Sequence, residues 1–291
     1  MLPLRDLLLV LVICLAWAGN FLVSAAALAH FPPLVFTTLR LVVVLVFLLR
    51  YLQPVPRELR GRLIVVALCN GALHFSFNFW AIAEAGDISS VALSLQSYIP
   101  MTALLAWWLL GERPARSTAL GIVVAFGGIA VLGFDPLVLD APLALGLSLI
   151  AAATLALGTT LLRSIGGLHT FQLQAWTAAI SLPPLLLVAV LSEPISVSLF
   201  STASWRDWGG VLYSAVAASL VGHGLLYVLL QRHPVAQVTP FLLLTPVFAV
   251  ALGVLFWGDR PGPRLLLGGA LVLGGVLIVA ARGAWKRRVA P

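Results

Sequence analysis

The stretch GERPARSTALGIVVAFGG, residues 111–128, returns as GDRPGPRLLLGGALVLGG, residues 258–275. Gly111, Arg113, Pro114, Leu120, Gly121, Gly127 and Gly128 each reappear 147 residues later. Glycines at fixed spacing inside apolar runs mark membrane helices that approach one another closely. Upstream, Ile88 to Pro100 and Pro234 to Pro246 have equal length and a similar small-residue opening, at an offset of 146, so one residue has been gained or lost between them. The chain therefore reads as a duplication. Residues 1–137 are expected to form the first unit and residues 138–291 the second, within one membrane domain.

Composition fixes the solvent. Of 291 residues, 61% are hydrophobic and 9% charged, with a mean hydropathy of +1.08. Soluble domains carry about 25% charged residues. This balance excludes a soluble globular domain, a disordered chain, collagen, a disulfide scaffold and a nucleic-acid binder. Cys14 and Cys69 lie in apolar runs and suggest no disulfide framework. The first apolar run, Leu7 to Ala29, is longer than a signal-peptide core, so no cleaved leader is expected.

A helix needs about 20 apolar residues to cross a bilayer. Cutting the chain at its charges gives ten segments, roughly 5–28, 33–52, 61–83, 88–110, 116–134, 142–162, 169–191, 206–230, 235–257 and 264–282. Proline and glycine punctuate the joints. The stretch from Glu193 to Ser204 is polar and irregular. The fold class is an all-α integral membrane protein with ten transmembrane helices, arranged as two five-helix repeats.

With ten spans, 13 of the 17 Lys and Arg fall on the side that holds both termini, three (Arg206, Arg260, Arg264) on the other, and Arg40 inside span 2. Of the ten acids, Asp6, Glu58 and Glu112 share the basic side and seven lie opposite. This is the positive-inside pattern, which predicts cytoplasmic termini. The net charge of +7 is then a topology signal and implies no acidic partner. Because each repeat has five spans, an odd number, the two must enter the membrane in opposite directions. Inverted repeats are characteristic of transporters, with the substrate near the midplane.

Trp17-Ala-Gly-Asn20-Phe21 in span 1, Pro33 followed by Arg40 in span 2, Pro100 with Gly111-Glu112-Arg113 and Pro246 with Gly258-Asp259-Arg260 carry a resemblance over nearly the whole chain. The sequence resembles the drug/metabolite transporter superfamily, in its EamA-type branch, and most resembles bacterial exporters of aromatic and other amino acids. The resemblance implies ten spans in two homologous halves and export of small metabolites. Asp259 departs from the glutamate usual in the motif.

The interior offers little chemistry. The only lysine, Lys286, is in the tail, and no Asp or Glu lies in a span interior. That removes a Schiff base, an aspartyl protease and a carboxylate proton relay. No zinc-protease, Walker or nucleophile-elbow motif is present. No cofactor and no metal site is expected, and the chain is not read as an enzyme.

Groups at depth are Arg40, His74 and His223. Arg40 must face the bundle interior, where it either fixes helix packing or contacts substrate. Asn70, His74 and Asn78 share one helical stripe at i, i+4, i+8 spacing, which must face protein or water. Either histidine could instead be a packing residue. The expected substrate-binding residues are Trp17, Asn20, Arg40, His74, Asn78, Gln96, Tyr98, Trp176, His223 and Tyr227. Trp107, Trp108, Trp205, Trp208, Trp257 and Trp285 read as interface anchors. Spans 5 and 10, with paired glycines, read as close-packing struts. Pro100 and Pro246 should loosen spans 4 and 9.

The inventory suits a neutral, zwitterionic or aromatic solute. A phosphorylated cargo would need several cations, and Arg40 stands alone. Flat organic cations held by aromatic faces are the alternative cargo. A lipid-modifying enzyme is the alternative of another class, and its possible residues (Asp87, Glu193, His169) are scattered over separate loops. The expected setting is the bacterial inner membrane, with membrane lipid and a small-molecule substrate as partners. No nucleic acid is involved, and the protein is read as a monomer or weak homodimer. Without a carboxylate carrier, uniport is expected, with a histidine-borne proton as the alternative.

Overall fold

The computed structural model describes residues 3–111, 116–165, 167–233, 238 and 241–289, the side chains of 227, 231 and 280–289 excepted. Among the described residues ten apolar helices form the molecule: α1 (Leu4–Leu28), α2 (Pro33–Tyr51), α3 (Arg57–Ala85), α4 (Ser89–Leu110), α5 (Arg116–Leu132), α6 (Pro142–Leu162), α7 (Thr170–Ser192), α8 (Trp205–Leu230), α9 (Leu244–Trp257) and α10 (Pro263–Val289). Seven are at least 18 residues long and apolar enough to span on length and composition alone. Glu193 to Ser204 holds only the short helix Val197–Ser201. Exposed Leu191 (77%), Leu255 (72%) and Val46 (61%) form part of an outer apolar surface that water would penalise and lipid accepts.

The duplicated motif is a helix stop. Gly111 ends α4 and Gly258 ends α9, both in the left-handed region at φ 68° and 86°. Space for a side chain is open at both, but an L residue is strained at such a φ, so glycine is favoured. Glu112, Arg113 and Pro114 lie outside the described residues. Pro100 also has a visible effect. It offers no N–H to the carbonyl of Gln96, and the chain takes three-residue turns at Gln96 and Ser97 that divide α4. Before Pro246 a turn at Leu243 precedes α9 in the same way.

The two five-helix units are related by a pseudo-two-fold, visible in which helices touch. α1 packs on α8 and α9; its counterpart α6 packs on α3 and α4. α2 and α7 pack on each other, as do α5 and α10. Contacts of this reciprocal kind are what a two-fold requires. The α5–α10 seam shows the inversion residue by residue. A Cβ on Gly121 would meet Gly275 O at 2.7 Å, and one on Gly128 would meet Gly268 O at 2.6 Å. As α5 advances seven residues its partner retreats seven, so corresponding helices run antiparallel. Gly127 and its counterpart Gly274 face open space. The struts expected of spans 5 and 10 are therefore formed by one glycine of each pair.

The acidic bias of one face has a structural cause. Helices α2, α4, α8 and α10 all begin at the same end of the bundle, and each receives a carboxylate. Glu193 accepts from Leu34 N and Val35 N at 2.8 Å each, above α2. Asp259 accepts from Ile88 N (3.1 Å), Ser89 N (2.9 Å) and Ser89 Oγ (2.6 Å), above α4. Asp135 accepts from Leu265 N at 2.9 Å in α10, and Asp207 closes a capping box with Ser204 on α8. Helix N-termini leave unbonded N–H groups and a partial positive charge, which carboxylates satisfy. The cap on α4 comes from the α9–α10 turn, and the cap on α2 from the α7–α8 connection. These bonds therefore tie one half to the other.

Candidate functional site

The α3 and α8 helices occupy equivalent places in the two halves, and each contains a π-helical stretch: Leu68–Leu73 in α3 and Ser214–Gly222 in α8. Each stretch ends directly on a histidine, His74 and His223. The two histidines are thus structural counterparts. Their offset of 149, set against 147 for the glycine motif, hides this in the sequence.

A π turn displaces backbone carbonyls from their usual donors, and buried carbonyls must find others. Side chains from neighbouring helices supply them. Ser181 Oγ of α7 donates to Ala67 O at 3.0 Å beside α3. Trp17 Nε1 of α1 donates to Ala218 O at 2.9 Å beside α8. Arg40 Nε of α2 donates to Ser214 O at 3.4 Å, a long bond that Ser219 Oγ shares at 2.8 Å.

Around these contacts lies one polar group of residues. Arg40, 3% exposed, donates from Nη2 to Ser219 Oγ at 2.7 Å. Its guanidinium carbon stands 3.6 Å from the centre of the Phe75 ring, a cation–π stack. Phe75 also meets the His74 ring edge-on at 4.7 Å. Trp17 lies 5.2 Å from the His223 ring. Arg40 is in electrostatic reach of both histidines, and His74 of His223. Among the described residues no carboxylate pairs with Arg40, and its Nη1 has no hydrogen-bond partner in the protein.

The histidine tautomers follow from their bonds. His74 Nδ1 lies 3.0 Å from Ala151 O and His223 Nδ1 lies 3.2 Å from Ser219 O. A carbonyl only accepts, so both Nδ1 atoms carry the hydrogen and both Nε2 atoms present lone pairs when the rings are neutral.

The expected site residues divide. Trp17, Arg40, His74 and His223 belong to this group. Asn20 is on α1 one turn from Trp17 and accepts from Ser24 Oγ at 3.3 Å. The polar stripe of α3 faces α6. His74 bonds to Ala151 there, Asn70 lies against Gly158, and Asn78 is 4% exposed with Oδ1 unbonded. Gln96 and Tyr98 flank the break in α4, half-buried, with no side-chain bond to the Arg40 group. Trp176 lies elsewhere. It donates to Gln53 O at 2.9 Å and lines an apolar cleft of about 510 Å³ with Val55, Leu63 and Ile180. The Tyr227 side chain lies outside the described residues. Ser214, Ser219 and Phe75 are the participants that sequence reasoning left out of the site. Among the described residues no group of His, Cys, Asp and Glu forms a metal cluster.

Outside the spans, two carboxyls at the capped end of the bundle are shifted. Burial pushes Asp87 up to about 6, helped by Asp259 and Asp135 and opposed by its bonds to Ser90 N and Ser90 Oγ. Burial also raises Glu193, against the two N–H bonds it accepts.

Comparison with known proteins agrees with this architecture. A "Probable amino-acid metabolite efflux pump" of Escherichia coli (strain K12) is 28% identical over 293 residues, covering 98% of each chain. A "Probable terminal-alkyne amino-acid exporter" of Streptantibioticus cattleyicolor is 27% identical, covering 78% of this chain and 76% of that one. A solved crystal structure superposes with a TM-score of 0.65 over 98% of this chain and 99% of that one; at 17% identity it supports the fold alone. The description of the EamA-like transporter family matches residues 4–134 and again residues 141–281, once for each set of five helices. This is a multi-pass membrane protein, and the chain belongs to the EamA-like transporter family.

Proposed function

We propose that this protein exports small amino-acid metabolites, aromatic or otherwise neutral, by alternating access between the units 1–137 and 138–291. The carrying observation is the buried group around Arg40, built from α1, α2, α3 and α8 and so shared between the halves. It offers one cation, two lone-pair acceptors and aromatic faces, which is the chemistry of a zwitterion with an apolar side chain. The names of the two relatives support the same cargo class. A flat organic cation fits less well beside an unpaired buried guanidinium. The 13-to-3 charge split supports cytoplasmic termini in a bacterial inner membrane.

Differential binding to two conformations suffices for alternating access, so cargo can run down its own gradient. The test is purified protein in liposomes loaded with labelled amino acids. At equal pH on both sides an aromatic amino acid should equilibrate, and an imposed pH gradient should not drive it past equilibrium. No movement of any amino acid overturns the export reading. Uphill accumulation abolished by His74→Ala or His223→Ala overturns uniport.

A further inference from the structure

We propose that Arg40 Nη1 is the receptor for the carboxylate of the cargo, which makes a free carboxylate group the recognised feature of the transported molecule. The inference rests on the export reading and specifies which part of the cargo is bound. Two of the three guanidinium nitrogens and one of its two flat sides are already engaged: Nη2 by Ser219 Oγ, Nε by Ser214 O, and the flat side by the Phe75 ring. These contacts hold the fork at one angle and leave Nη1 as its free end, buried and unbonded. A buried ion without a counter-charge is costly, and a buried donor without an acceptor adds to that cost. A carboxylate arriving at Nη1 removes both penalties through a charge-assisted hydrogen bond.

The surroundings narrow the ligand further. His74 and His223 spend their N–H groups on backbone carbonyls, so when neutral they add no second donor. Their Nε2 lone pairs would repel a second anionic group and accept from an ammonium. A dianion such as a phosphate monoester finds one cation and two acceptors, a poor match. A single carboxylate with an amine beside it and an apolar remainder finds a partner for each part. A packing role alone accounts for the bonds to Ser219 and Ser214 but leaves the burial of an unpartnered Nη1 uncompensated.

Equilibrium binding to purified full-length protein separates the roles. The probes are phenylalanine, 3-phenylpropionate, which keeps the carboxylate and lacks the amine, and phenethylamine, which does the reverse. Phenylalanine and 3-phenylpropionate should bind at least tenfold more tightly than phenethylamine. Arg40→Gln should remove that preference, while Arg40→Lys should retain part of it. If Arg40→Gln fails to fold, Ser219→Asp carries the test by placing an internal counter-ion beside the guanidinium, and should weaken the two carboxylate probes more than tenfold. The proposal falls if phenethylamine binds as tightly as 3-phenylpropionate, if no carboxylate probe binds, or if a folded Arg40→Gln keeps its preference. Liposome transport reads the parent hypothesis separately. Protein that binds carboxylates at Arg40 yet moves no amino acid sinks the export reading alone, and protein that exports equally well as Arg40→Gln sinks the receptor alone.

Discussion

The α5–α10 pair and the α3–α8 pair are both related by the same pseudo-two-fold, and they use it in opposite ways. In α5 and α10 glycine faces backbone: Gly128 sits on Gly268 O and Val272 N, and Gly275 on Gly121 O and Ala125 N. Among the described residues no buried side-chain polar atom of α5 or α10 lacks a partner. In α3 and α8 glycine faces side chains: Gly222 lies on the Trp17 indole and Gly71 on Ser181 and Thr177. Both helices widen into π turns, and Asn70, Ser76, Asn78 and Ser214 keep buried polar atoms without partners. Symmetry in the first pair gives a joint with no slack. In the second it gives room and unsatisfied polarity, which is where π turns gather at functional sites.

The comparison breaks most visibly at the seam. Gly275→Leu would put a Cβ 2.5 Å from backbone atoms that cannot move aside. Overpacking of this kind costs about 1–3 kcal/mol or more. Little folded protein should be recovered by size-exclusion chromatography, whereas Gly274→Leu, one residue away and facing open space, should behave as wild type.

The next largest effect lies at the outer rim, where α3 turns into α4. Asp87 titrates at about 6 in the folded protein against 3.8 ordinarily, so the fold holds a proton that the unfolded chain has released. Its contribution is complete below pH 4 and lost as the pH rises through 6. At 1.36 kcal/mol per pKa unit the loss is about 3 kcal/mol. Asp87→Asn should therefore be more stable than wild type at pH 7–8 in thermal unfolding, and should flatten the profile between pH 4 and 6. A steeper profile would contradict the assignment. The residues that meet the seam glycines, Ala125, Leu132, Leu271, Val272, Ile278 and Val279 among them, do not titrate, so variants at these glycines should follow the wild-type pH profile.

The smallest of the three effects is Gly222→Ala. Its Cβ would meet the movable Trp17 side chain, so the protein should fold while the Trp17 bond to Ala218 O is displaced. Transport in liposomes should fall about tenfold, the equivalent of 1.4 kcal/mol, with the unfolding temperature little changed. Failure to fold would mean that α8 is as tightly set as α10.

Local pattern made the spans, the stops at Gly111 and Gly258 and the glycine seam legible, because hydropathy, left-handed turns and small-residue spacing are written in adjacent residues. The π stretches were not legible. No residue type demands them in Leu68–Leu73 or Ser214–Gly222, and they are held by donors from other helices. For the same reason the residue types at depth identified Arg40 and the histidines, but not the bond from Arg40 to Ser219, 179 residues away. Trp176 lies apart from the Arg40 group, at Gln53 O, and an aromatic in mid-sequence of an apolar run says nothing about which neighbours its ring reaches. Pro183 and Pro184 warn in the other direction, since α7 runs unbroken through both.

The exchange of first helices, α1 into the second half and α6 into the first, has a consequence for how the protein is made. A ribosome delivers α1 first, yet the helices that cover it, α8 and α9, are among the last to emerge. Through most of synthesis α1 must wait in the bilayer with the Trp17 indole N–H unclaimed, because its acceptor, Ala218 O, lies on α8. The first unit therefore cannot mature alone. Production of the two units as separate polypeptides should yield little stable protein from either, and co-production should restore both, because each unit reaches its native packing only around the other's leading helix.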